Sequence, residues 1–176
     1  MADVSVRPAR LGDVAALTTV QLLAWQDSGL PGLPEAADVE RAWERAVLVP
    51  PSVRHRVLVA LDGKVVVGAA ATAPATDPDL DPVADSEVVL LAVRPETRRH
   101  GHGSRLLMAA VDLMRASGDV TAVLWVPARD DSTRQFLEAS GWGPDGAHRT
   151  TAVDDADGFD PVRWLRLATD LREDLS

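Results

Sequence analysis

The residues of this chain best suited to chemistry lie in one short run, Arg98-Arg99-His100-Gly101-His102-Gly103-Ser104. Before it stands a stretch rich in Val and Leu, and after it Leu106, Leu107, Ala110, Val111 and Met114 recur at helical spacing. A strand, a glycine turn and a helix in that order make an anion site. Glycines at 101 and 103 remove the Cβ atoms that would hold a phosphate away from the backbone. The helix start then presents unpaired N–H groups and the positive end of its dipole. Arg98 or Arg99 adds a charge-assisted bond to a phosphate oxygen. The two common nucleotide fingerprints do not fit. The dinucleotide pattern requires glycine at position 106, which is Leu106, and neither Gly-Lys-Ser nor Gly-Lys-Thr occurs. His100 and His102 invite a metal, yet no carboxylate or third histidine stands at ligand spacing, so no metal is expected.

Composition narrows the chemistry further. Cysteine is absent, which excludes disulfides, thiolate metal centres and a cysteine-bound acyl group. Tyrosine is absent as well. A net charge of -9 disfavours nucleic acid or an anionic membrane as partner and suits a neutral or cationic small molecule. Apolar runs such as Val65 to Ala71 fall short of the roughly 20 residues that span a bilayer. Met1-Ala2-Asp3-Val4 lacks the basic-then-apolar start of a signal peptide, so a cytoplasmic protein is expected. The 176 residues, 46% of them hydrophobic, fit one domain (1-176) built around one core.

The elements that must position the glycine run follow from pattern and punctuation. Val4 to Arg7 reads as a first strand, and Asp13 as the N-cap of a helix carrying Val14, Leu17, Val20 and Ala24. Gly29-Leu30-Pro31-Gly32-Leu33-Pro34 breaks that helix, and Ala36 to Val47 forms a second. Arg56 to Leu61 and Lys64 to Ala71 make a hairpin around Asp62-Gly63. Pro74 to Asp85, with three prolines and four aspartates, reads as an exposed loop whose acids serve solvation. Then come strand Glu87 to Val93, helix Ser104 to Ala116, strand Val120 to Val126 and helix Ser132 to Ala139. Ala147 to Val153 and Val162 to Ala168 read as an antiparallel pair around the acidic stretch Asp154 to Gly158. The order predicts an α/β fold, a mixed sheet with helices on both faces and parallel pairing only across the helix Ser104 to Ala116. The five tryptophans are expected in the core and in pocket walls.

In this setting the glycine run resembles the GNAT family of N-acetyltransferases. The family pattern is Arg or Gln, two variable residues, Gly, one variable residue, then Gly or Ala, and the chain reads Arg98 through Gly103. Leu91-Ala92-Val93-Arg94-Pro95-Glu96 is similar to the family's lead-in, and Ser104-Arg105-Leu106-Leu107 to its helix start. A second block, Asp130 to Trp142, resembles Asn-x-x-Ala-x-x-Phe-Tyr-x-x-x-Gly-Phe.

The resemblance implies a mostly antiparallel sheet with a splayed parallel pair, and acetyl-CoA as cofactor with its pyrophosphate on Arg98 to Ser104. Backbone groups near Leu91 and Val93 would pair with the pantetheine arm, which enters where the strand ending at Val93 leaves the one ending at Val126. Pro127, lacking an N–H, would help stop the pairing there. Asp130 occupies the family's Asn position beside that arm. Leu137 stands where many members carry the tyrosine that protonates the departing thiolate. Glu87 matches the glutamate that serves some members as general base. Simple alternation puts it on one face with Val89, Leu91 and Val93, and Val88 and Val89 would desolvate it. Trp25 and the loop to Pro34, Leu30 included, fall where the family covers the acceptor. The implied reaction is direct attack by a small-molecule or peptide amine in a ternary complex, in a monomer or homodimer. The missing tyrosine also fits a noncatalytic acyl-CoA-binding module.

Overall fold

A computed structural model describes residues 4–151 and 160–172. Seven strands form one sheet: β1 (Val4–Pro8), β2 (Arg56–Asp62), β3 (Val65–Pro74), β4 (Asp85–Val93), β5 (Thr121–Pro127), β6 (Gly143–Thr151) and β7 (Val162–Asp170). Their spatial order is β1-β2-β3-β4-β5-β7-β6. The helices are α1 (Val14–Ser28), α2 (Ala36–Leu48), α3 (His102–Ala116) and α4 (Asp131–Ala139). Every neighbouring pair is antiparallel except β4 and β5, which α3 connects. This is the mixed sheet with one parallel pair that the element order predicts. Residues 152–158, expected as a strand end and an acidic loop, lie outside the described residues. No described helix is long and apolar enough to cross a membrane.

Strand alternation feeds two apolar cores, one on each face. Leu58, Val67, Val88, Leu124, Val126 and Leu167 meet Leu106, Leu107 and Met114 of α3 and Leu137 of α4. On the opposite face Val59, Leu61, Val66, Ala69, Ala71 and Ala92 meet Val14, Leu17 and Val20 of α1 and Val39 and Trp43 of α2. Leu17, Leu106, Leu137 and Leu167 are fully buried, each worth about 1.5–3 kcal/mol. Gly68 lets α3 sit close on β3: a Cβ there would come within 3.0 Å of both the Ala92 carbonyl oxygen and Leu106 Cδ1.

Three local expectations need correction. Asp62 pairs with Val65, so the hairpin turn is Gly63-Lys64, one residue later than expected. Gly63 alone takes a positive φ, 60°, as a turn with glycine in first position requires. Asp13 does not cap α1 through its side chain. A 3-10 turn, Leu11–Asp13, precedes the helix, and the Asp13 carboxylate accepts from Arg7 Nη1 at 2.7 Å and Nη2 at 2.9 Å and from the Arg10 N–H at 2.7 Å. It thereby ties the start of α1 to β1.

The third correction concerns β4. Leu90 lies opposite Ala71 and Val88 opposite Thr72, which leaves Val89 as an extra, exposed residue in a β-bulge. A bulge inverts the alternation beyond it. Leu90 and Ala92 join the α1–α2 face, and Glu87, opposite Ala73, shares that face; Val88, Leu91 and Val93 join the α3 face. The common face expected for Glu87, Val89, Leu91 and Val93 therefore does not exist, and Val88 and Val89 do not pack over Glu87.

Candidate active site

β4 and β5 pair only from Asp85 to Glu87 and from Thr121 to Val123. Beyond these residues they part, while β5 continues to Pro127 along β7. The opening thus begins well before Pro127, and that proline does not end the ladder. The bulge at Val89 bends β4 where the ladder stops. The Arg94 N–H donates to the Val67 carbonyl at 2.8 Å, on the β3 side. Successive peptide groups of a strand point to opposite edges, so those of Val93 and Leu91 face the gap, where no strand meets them.

The far end of the gap is closed by the glycine run. Arg99 has φ 68°, the only positive value for a non-glycine among the described residues, and Gly101 has φ 80° as the N-cap of α3. The helix starts at His102, two residues earlier than expected, so His102, Gly103 and Ser104 form its first turn. Its first backbone bond runs from the Arg105 N–H to the Gly101 carbonyl at 3.1 Å, which leaves the three preceding N–H groups without a helical acceptor. A Cβ on Gly103 would make only ordinary contacts, 3.7 Å to Phe136 Cζ and 3.8 Å to Val93 Cγ2. Packing therefore does not demand glycine at 103. The three free N–H groups suit a phosphate, and the unpaired edge of β4 suits an extended amide-bearing arm behind it.

The remaining predicted cofactor residues fall around this loop. Arg98 pairs with Asp27 near the end of α1. His100 is exposed, its Nδ1 3.2 Å from the Thr97 carbonyl oxygen. His102 is different: its ring is buried with neither nitrogen partnered among the described residues, and burial holds its pKa below the usual value. Only its backbone N–H faces the anion site. Asp130 Oδ1 accepts from the Thr133 N–H at 3.0 Å and so caps α4, a task asparagine performs equally well. Leu137 is fully buried and offers no proton.

At the other end of the gap stands Glu87, half-buried in the last paired position of β4. Burial raises its pKa first and Asp77 adds to the shift, whereas Arg149 and Arg166 oppose it. Beyond β4 this face carries Trp125 on β5, paired with Arg166 on β7, and Trp164 on β7, paired with Arg149 on β6. Arg166 is buried. It donates to Asp77 at 3.1 Å, Asp79 at 2.8 Å and Asp145 at 2.7 Å, while Trp125 Nε1 donates to Asp77 at 3.1 Å. Asp77 and Asp79, expected merely to solvate a loop, fasten that loop to β7. The signal missed in the sequence was Arg166, set between Leu165 and Leu167 in β7. Trp43 and Trp142 are core residues, as expected. Trp25, in α1, has a buried indole N–H with no partner among the described residues, and Leu30 is half-buried in the α1–α2 connection. Arg98 to Asp27 and Arg129 Nη2 to the Gly29 carbonyl, at 2.7 Å, hold the end of α1 to the segments following both parted strands. That end accordingly lies across the mouth of the gap.

The model of the acetyltransferase (GNAT) family matches residues 18–142. The chain belongs to the GNAT family. It is an acetyltransferase, and its acetyl donor is acetyl-CoA. Solved structures share the fold. The yncA protein of Salmonella typhimurium, solved with acetyl-CoA, is 19% identical with TM-score 0.75, covering 98% of this chain and 96% of its own. The paia N-acetyltransferase of Thermoplasma acidophilum, solved with coenzyme A, is 14% identical with TM-score 0.72, covering 96% and 99%. A ribosomal-protein-alanine N-acetyltransferase of Brucella melitensis is 18% identical with TM-score 0.75, covering 94% and 99%. No curated protein sequence matches the chain.

Proposed function

We propose that this GNAT protein transfers the acetyl group to an amine by direct attack in a ternary complex, with Glu87 as general base. The observation that carries this reading is the position of Glu87, half-buried where β4 and β5 part and with its pKa raised by burial. An amine of pKa about 10.4 arrives protonated and becomes nucleophilic only after losing that proton. A carboxylate with an ordinary pKa near 4.3 is a poor match for the task, and desolvation narrows the difference.

The bound donor supplies an activated thioester. The N–H groups of His102, Gly103 and Ser104 take the pyrophosphate, with Arg98, Arg99 and His100 beside them. The peptide groups of Leu91 and Val93 hold the arm, and one of these N–H groups faces the thioester oxygen as negative charge develops there. Asp130 holds the start of α4 beside the arm. Trp25 and Leu30, at the end of α1, cover the acceptor. With Leu137 apolar and no tyrosine in the chain, we assign the proton for the departing sulfur to water. Small-molecule and peptide amines both belong in the acceptor screen, since one structural neighbour is a ribosomal-protein-alanine N-acetyltransferase.

Direct attack predicts that initial-rate plots against both substrates intersect, and that acetyl-CoA alone leaves the protein unacetylated by mass spectrometry. Parallel plots together with an acetylated protein would refute direct attack.

A further inference from the structure

Two arginines share the sheet face beyond Glu87, and their surroundings differ. Arg166 is enclosed by the carboxylates of Asp77, Asp79 and Asp145, and its role is to fix the loop after β3. Arg149 is exposed. Its guanidinium lies over the Trp125 ring, 4.2 Å from the centroid, and among the described residues it makes no hydrogen bond or ion pair. Stacking uses the face of a guanidinium and leaves the N–H donors at its edge directed outward in a planar fork, the arrangement that holds a carboxylate through two bonds.

Strand geometry places this fork near the reacting amine. Glu87 pairs with Val123, and Trp125 lies two residues further along β5 on the same face. At a rise of about 3.3 Å per residue and roughly 4.8 Å between strands, the two backbone positions are about 8 Å apart. Both side chains rise from the same face, so the Glu87 carboxylate and the guanidinium over Trp125 are spaced for an amine and an acid group on one compact molecule. Charge balance agrees. Glu87, Asp77, Asp79 and Asp145 outweigh Arg149 and Arg166, so a free anion is disfavoured, whereas an amino carboxylate brings its own compensating charge.

We propose that Arg149 binds a carboxylate on the acceptor, and hence that the acceptor is a compact amino carboxylate such as an α-amino acid. This rests on the acetyl-transfer reading above and refines the neutral or cationic small molecule expected from net charge.

The test uses matched acceptors: each amino acid, its amide and its decarboxylated amine, followed by thiol release from acetyl-CoA. Wild-type protein should favour the amino acid in kcat/KM by about 10- to 100-fold, the value of a charge-assisted pair. In Arg149→Gln that ratio should collapse toward one, mainly through KM, with Arg149→Lys intermediate because it keeps charge but loses the fork. Preference for amides or decarboxylated amines in wild-type protein, or an unchanged ratio in Arg149→Gln, would overturn the proposal. If nothing turns over, the transfer reading fails separately. Calorimetric titration of the amino acids into the protein with coenzyme A then decides. Binding that Arg149→Gln abolishes upholds the assignment, and binding that survives in the variant, or none to wild-type protein, overturns it.

Discussion

Replacing Glu87 by glutamine keeps the shape and hydrogen-bonding capacity of the side chain but removes the group that takes the proton. General base catalysis contributes about 10² to 10⁴ in rate, or roughly 3–5 kcal/mol in activation free energy. Glu87→Gln should therefore lower kcat by that factor and leave the acetyl-CoA dissociation constant unchanged, because the N–H groups of His102, Gly103 and Ser104 lie at the opposite end of β4. The pH profile separates this from a general weakening. Burial, and after it Asp77, raises the Glu87 pKa, so activity should rise with pH through that raised value, and this limb should vanish in the variant. Stability should move in the opposite sense. A carboxyl whose folded pKa is raised contributes stability below its unfolded pKa of about 4.3, and loses it as pH rises through the folded value. Near neutral pH the variant should be no less stable than wild-type protein. Thiol release from about pH 5 to about pH 9 is the assay, with chemical denaturation beside it. Turnover within about threefold of wild type across that range would refute the assignment, because even the low end of base catalysis is about 10²-fold.

Further expectations concern the other end of the gap. Gly103→Glu adds bulk and like charge at the α3 start, where a Cβ makes only ordinary contacts and an acid favours the helix dipole, so it should spare the fold and abolish cofactor binding. Ligand at about 100 times its dissociation constant adds about 2.7 kcal/mol, a rise of roughly 5–11 °C in Tm that wild-type protein should show with acetyl-CoA and the variant should lack. His102 carries a lowered pKa through burial, so the unfolded chain binds its proton first and stability should fall as pH drops below about 6.5. Denaturation at two pH values checks this, and His102→Leu should flatten the difference.

Much of this site was legible in the sequence because its parts are local. The strand, glycine turn and helix from Glu87 to Ala116 carry their own periodicity and punctuation, and the cofactor end of the site is built almost wholly from that segment. The acceptor end was not legible. Val89 looks like any other strand residue, and a bulge appears only once β3 supplies the register, so Glu87 could not be assigned to its face. Arg166 and its three aspartates come from three separate segments, and Arg149 reaches Trp125 across β7, contacts that depend on the strand order β5-β7-β6. An N-cap aspartate and one bound to β1 likewise read the same until Arg7 is placed beside Asp13.

The central claim is acetyl transfer to an amine, and mass-resolved product analysis tests it most directly. Purified protein, acetyl-CoA and a panel of amines and amino acids should yield coenzyme A thiol and N-acetylated acceptor in equal amounts, at a rate that Glu87→Gln lowers by about 10² or more. Binding of acetyl-CoA with no thiol released and no acetylated acceptor anywhere in the panel would contradict it.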